Sequence, residues 1–133
     1  GVCFMVRDFI GLSHSYDTIN CITLIKNFYY MKLNLEFSLP EYPHSKQWIK
    51  EFTTTSIDNW AAQCAKKVSL TNAKDYDVIA FKSEKTNLVI HFGMYLMPSK
   101  MLHIEEGGIS CVETLSDYWV ESIHSIYRHD SLV

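Results

Sequence analysis

Apolar positions along this chain fall into two regimes, one with helical spacing and one with strand-like runs. In the first, Cys21, Leu24, Ile25, Phe28 and Met31 follow the i, i+3, i+4, i+7 rule of a helix with one buried stripe. Asn20 precedes them, and an asparagine there caps free backbone N–H groups with its side-chain oxygen. Met5–Ile10 predicts a short helix ended at Gly11, and Leu12–Asn20 reads as a polar loop. Pro40 and Pro43 impose an extended connector. Ser45–Phe52 and Ser56–Lys66 predict two further helices, the second capped by Ser56 with Asp58 in its first turn.

From Asp77 onward the pattern shortens. Val78–Phe81, Leu88–Leu96, Met101–Ile104, Ile109–Glu113 and Ser125–Arg128 are β-prone runs separated by turn residues, among them Met97-Pro98-Ser99-Lys100 and Gly107-Gly108. Helices first and strands afterwards predict an α+β fold, with N-terminal helices packed on a central antiparallel sheet. A chain of 133 residues predicts one domain spanning 1–133, with a single sizeable core.

Composition narrows the function. Hydrophobic residues make up 47% and aromatics 14%, which fits a packed globule. The net charge is −3, with no Lys/Arg run longer than a pair, so the concentrated basic face that nucleic acid requires is not expected. No apolar stretch approaches the roughly 20 residues that span a bilayer. The opening Gly1-Val-Cys-Phe-Met-Val-Arg-Asp8 does not read as a signal peptide, and it suggests a processed or trimmed start. Cys3, Cys21, Cys64 and Cys111 are irregularly spaced without a C-x-x-C pair, which predicts free thiols and synthesis in a reducing compartment.

The candidate chemistry joins three distant segments. A thiolate is a nucleophile, and Cys21 stands where a helix dipole and a nearby imidazolium would favour it. Its plainer role is that of a small core residue. His91 lies within an apolar strand run, where a ring must satisfy its nitrogens or serve a purpose. Gly93, two positions on, would allow close approach of another backbone or a substrate. His103, on the next strand, is placed to bond the far nitrogen of His91, fixing its tautomer in the manner of a triad. Alone, each histidine would more often be structural. His14, in the loop before Cys21, is placed to line the cleft; His44, His124 and His129 read as solvated. No metal site is expected, because no H-E-x-x-H helix or short-spaced histidine set is present. Among the aromatics, Tyr29-Tyr30 and Trp119 are the first choices for partner-facing anchors, against the alternative that they fill the core.

Together, Asn20-Cys21 at a helix start, His91-Phe-Gly-Met-Tyr-Leu96 on a strand and Lys100-Met-Leu-His103 after it resemble the NlpC-type cell-wall peptidases. Asp77-Val78 is similar to the family's Gly-Asp-Val strand, and the resemblance runs from about Arg7 to His129. It implies a papain-like α+β fold and a cysteine peptidase with Cys21 as nucleophile, His91 as base and His103 as the orienting third member. It further implies peptidoglycan stem peptides as substrate and no cofactor. The family's Pro-Tyr-x-x-Gly-Gly loop is here Ser13-His-Ser-Tyr-Asp-Thr18, which makes His14 and Tyr16 the candidates beside the oxyanion, with the Cys21 N–H. Ile22-Thr23 replace a small Ser-Gly pair and are expected to narrow the cleft. The long insert after Cys21 and the ending Leu115-Ser-Asp-Tyr-Trp119 look most like the phage tail-tip branch. That implies other tail-tip proteins as partners and a place in the virion after synthesis in the host cytoplasm. The alternatives are a structural tail-tip subunit with a vestigial site, and an acyltransferase or amidase sharing the same acyl-enzyme chemistry.

Overall fold

A computed structural model describes residues 6–15, 18–36, 59, 61–86 and 88–132. The predicted helix Ser45–Phe52, the Ser56 cap, and Cys3, Tyr16, His44, Trp48 and Trp60 lie outside them. Helix α1 covers Cys21–Leu33, starting where its cap was expected. Asn20 Oδ1 accepts from the Ile22 and Thr23 N–H groups, each at 3.0 Å, while Thr23 Oγ1 accepts from the Asn20 N–H at 2.8 Å. Threonine thus closes the reciprocal capping box, a place more often held by Glu or Gln. Asn34 ends the helix with φ of 54°, a left-handed turn that asparagine tolerates. The buried stripe is Cys21, Ile22, Leu24, Ile25, Phe28 and Tyr29. Met31, expected within it, is 67% exposed, because the apolar face continues through Tyr29 instead.

Six strands follow: β1 Ala65–Val68, β2 Val78–Lys82, β3 Val89–Leu96, β4 Lys100–His103, β5 Cys111–Thr114 and β6 Ile123–His129. They form one sheet in the order β1-β6-β2-β3-β4-β5, with every neighbouring pair antiparallel. The predicted strands are therefore present, but the predicted helix Ser56–Lys66 is cut short. Residues 61–64 are helical, and Ala65 already pairs with His129 across β1 and β6. That pairing overrides the weak local preference of Ala-Lys-Lys-Val. A five-residue helix, α2 (Asp117–Glu121), lies in the connection that returns from edge strand β5 to β6.

Strand alternation divides the apolar side chains between two faces. Val78, Ala80, Phe92, Met94 and Leu102 form one core with Leu24, Ile25 and Phe28 of α1. Ile79, Phe81, Tyr95, Met101 and Ile126 form the other, against which Trp119 of α2 packs. Tyr29 belongs to the first core and is fully buried, its hydroxyl donating to the Tyr76 carbonyl, so it is no partner-facing anchor; Tyr30 is 64% exposed.

Before β2, Asp77 is fully buried and binds the Arg128 guanidinium in two places, Nε at 3.0 Å and Nη2 at 2.8 Å. It also accepts from the Lys74 N–H at 2.9 Å. The pair ties the start of β2 to the end of β6, and a carboxylate this enclosed is tolerable only with such partners. Removing it strands the cation, so Asp77→Ala is expected to cost about 3 kcal/mol in urea unfolding. Asp8→Ala breaks the more exposed pair with Lys32, 2.6 Å apart, and should cost below about 1 kcal/mol. Equal losses in the two variants would contradict this assignment.

Candidate active site

Pairing of β3 with β4 brings the two strand histidines together. The ladder ends with Met94 opposite Leu102, and one further step sets Gly93 beside His103. His91 then lies diagonal to His103 on the same face, within reach of a long side chain. The rings meet: His91 Nε2 and His103 Nδ1 are 2.9 Å apart, with planes at 79°. Gly93 is needed here for space, though not for a substrate. A Cβ at that position would stand 2.7 Å from Met101 Sδ and 3.5 Å from Phe81 Cε2.

The contact continues onto β5. Cys111 pairs with His103 and Glu113 with Met101, so Cys111 and Glu113 share the histidine face. Glu113 Oε1 lies 2.9 Å from His103 Nε2, and Glu113 Oε2 accepts from the Trp119 indole N–H at 2.7 Å. Trp119 also covers the rings, with centroids 5.6 Å from His91, 5.2 Å from His103 and 5.2 Å from Phe81. The tryptophan expected to face a partner is therefore part of this site. Sequence reading also passed over Glu113. The available signal was strand alternation, which puts Glu113 on the face of Cys111 once β5 is set beside His103.

Cys21 occupies the first helical position of α1 and is 6% exposed. Its sulfur accepts from the Phe92 N–H, the backbone group next to His91, and is also favoured by the Cys21 and Ile22 N–H groups. No hydrogen bond joins Cys21 to His91 among the described residues. The thiol belongs to the core beneath α1, whereas the His91 ring stacks with Phe81 and Trp119. Burial outweighs the helix-terminus effect that the sequence suggested, and the thiol is pushed up to about 12 from an ordinary 9.0. Burial, then the neighbouring His103, pulls His91 down to about 3 from 6.5. The resting pair is thus a thiol and a neutral imidazole.

His14 donates its backbone N–H to the Gly108 carbonyl at 2.9 Å, and the adjacent Ser13 bridges to Ile109. The loop before Cys21 is thereby pinned to the turn after β4. Its side chain is half-buried. His124 and His129 are half-buried as well, against the solvated reading, with His129 against the Tyr29 ring at 6.1 Å. Cys21, Cys64 and Cys111 are free thiols, as expected. His103, Cys111 and Glu113 offer nitrogen, sulfur and oxygen atoms within 4.8 Å of one another, donor types that a soft divalent cation accepts. In this structure the nitrogen and one carboxylate oxygen are spent on each other. A separate open groove of about 690 Å³ at the β1 edge is lined partly by Lys66, Lys67, Lys74 and Arg128, and none of the site residues faces it.

The depressed His91 has a stability consequence. Its folded value lies below the unfolded one, so its contribution is present above about pH 6.5 and lost as pH falls toward about 3. His91→Phe should flatten the fall of the thermal midpoint between pH 7 and pH 4. Parallel falls in the variant and the natural protein would refute the assignment.

Known proteins share this arrangement of helix and sheet. The sequence profile of the NlpC/P60 family matches residues 9–128. The tail tip assembly protein K of Escherichia phage lambda is 25% identical over 121 residues, covering 90% of this chain. The chain spans 58% of the length of that relative. Among solved structures, a protein of the NLP/P60 family similar to lipoprotein, from Staphylococcus aureus subsp. aureus Mu50, superposes with a TM-score of 0.64 at 18% identity, over 96% of this chain and 39% of that one. An NlpC/P60 family protein from Bacillus cereus ATCC 10987 gives 0.64 at 13% identity, over 97% and 40%. The NlpC/p60 domain of the peptidoglycan hydrolase SagA gives 0.58 at 12% identity, over 96% and 95%. Such identities establish a common fold, and among the described residues no helix is long and apolar enough to cross a membrane. With the profile match running through the cysteine, both histidines and the sheet that holds them, the chain belongs to the NlpC/P60 family.

Proposed function

We propose that this chain is a cysteine endopeptidase domain of a phage tail tip, acting on the peptide stems of bacterial peptidoglycan. The observation that carries the reading is the His91–His103 hydrogen bond, which engages Nε2 and leaves His91 Nδ1 as the nitrogen for proton transfer. Cys21 meets the same strand one residue along, at the Phe92 N–H.

The Cys21 sulfur then forms a bond to the scissile carbonyl carbon while its proton passes to His91 Nδ1. The carbonyl π pair moves onto oxygen, held by the Cys21 N–H at the open end of α1 and by His14 or Tyr16. Collapse expels the amine, which takes the proton from His91, and a thioester remains. Water attacks that thioester carbonyl with His91 again accepting a proton, and collapse breaks the C–S bond, the departing Cys21 sulfur taking that proton back as the acid product leaves. No free thiolate need accumulate, because the negative charge develops on the carbonyl oxygen as the bond forms. Kinship with lambda protein K, a tail tip assembly protein, supports the placement in a tail tip beside other tip proteins.

A second reading has its own observation. The burial of Cys21, and the thiol it holds protonated, fit a structural tail-tip subunit with a vestigial site. Purified peptidoglycan separates the two. Under the enzymatic reading the protein releases stem-peptide fragments, seen by mass spectrometry, and Cys21→Ala abolishes release while circular dichroism is unchanged. His91→Ala should lower the rate by at least about 10³-fold. Full lytic activity in Cys21→Ala would sink this mechanism. No release by the natural protein, with fixed low copy number in intact particles, would establish the structural reading instead.

A further inference from the structure

We propose that Trp119, acting through Glu113, dictates which nitrogen of each site histidine carries its proton, and so makes His91 Nδ1 the lone-pair base. The inference rests on His91 serving as that base and assigns two positioning residues behind it. An indole N–H can only donate, so Glu113 Oε2 must accept at 2.7 Å. An ionised carboxylate can only accept, so His103 Nε2, 2.9 Å from Oε1, must bear a hydrogen. A ring that carries its single hydrogen on Nε2 has its lone pair on Nδ1. His91 Nε2, 2.9 Å away, must donate to it, and neutral His91 is left with its lone pair on Nδ1. Every bond in this chain points one way, and the direction is set at the indole.

Two features keep the direction fixed. The Trp119 ring is wedged against Phe81, His91 and His103, so its N–H cannot swing away from Glu113. The Glu113 carboxyl is held below its ordinary range, first by the indole bond and further by His103, so the acceptor form persists. His103 itself is 1% exposed, which excludes water as a competing partner for its ring.

Glu113→Gln is the informative variant, because it is nearly isosteric and the side chain is 42% exposed. A glutamine offers one acceptor and one donor. Trp119 claims the oxygen, and the amide N–H then faces His103 Nε2. His103 must turn to its Nδ1–H form, and His91 Nε2 must accept, so the His91 hydrogen moves to Nδ1 and the base is lost. Adding Trp119→Phe removes the indole's claim and lets the glutamine oxygen face His103 again.

The test is the ¹⁵N spectrum of the imidazoles in the full chain near neutral pH, together with rates on peptidoglycan. The natural protein should show both rings protonated at Nε2. Glu113→Gln should move both to Nδ1, with kcat reduced on the order of 10³-fold or more and KM little changed, as for a wrong-tautomer base. Trp119→Phe/Glu113→Gln should restore the Nε2 forms and recover at least about tenfold in kcat over the single variant. A merely structural role predicts the opposite order, with the double variant worse than either single one. An Nδ1–H ring in the natural protein, or unchanged tautomers in Glu113→Gln, overturns the proposal even if no variant can be assayed. Tautomers that swap and recover in a protein without hydrolase activity would uphold the relay and refute the peptidase reading.

Discussion

The 2.9 Å bond between His91 and His103 exists only because β3 and β4 pair in one register. A slip of one residue would send either ring to the opposite face of the sheet, into the core beneath α1. Three local choices hold that register. Gly93 leaves room for Met101 and Phe81 between the histidine positions. The turn 97–99 returns the chain directly into β4. Beyond it, β5 sets Glu113 against His103, and the crossing to β6 lowers Trp119 onto both rings. The far side of the sheet is anchored separately, by Asp77 and Arg128 joining β2 to β6. The histidine pair and the capped helix end that carries Cys21 are thus held by separate sets of contacts.

Much of this was legible in the residues. The stripe from Cys21 to Phe28 and the cap at Asn20 gave α1, and the alternating runs after Asp77 gave β2 to β6. The His91–His103 contact followed from two histidines on neighbouring strands. Other features were not written locally. Ala65–Val68 carries no strand-like alternation and is a strand only because β6 offers it partners. Met31 matched the helical spacing but lies outside the buried arc. Trp119 read as a possible anchor for a partner because nothing in its neighbourhood reveals that α2 crosses the histidine face. Glu113 was hidden for the same reason, since its role depends on which strand lies beside β5.

The charge state of Cys21 shows the limit most clearly. A cysteine at a helix start suggests an acidified thiol, and the helix N–H groups do favour the anion. Burial acts in the other direction and wins, because the α1 cap places the sulfur under apolar side chains and not at an open rim. The consequence is a resting site of thiol and neutral imidazole, so under the proposed mechanism the proton would be transferred during attack and not before it. Family membership establishes the fold, and hydrolysis at Cys21 and His91 is the proposal that activity measurements decide.

The most direct test is the pH profile of cysteine alkylation in the native protein, followed for each thiol by mass spectrometry. Half-buried Cys64 and Cys111 serve as internal references. The account predicts that Cys21 reacts more slowly than either, with no reactive thiolate developing below about pH 9. Rapid alkylation of Cys21 at pH 6 to 7, abolished by His91→Ala, would reveal a preformed thiolate–imidazolium pair and contradict the neutral resting site described above.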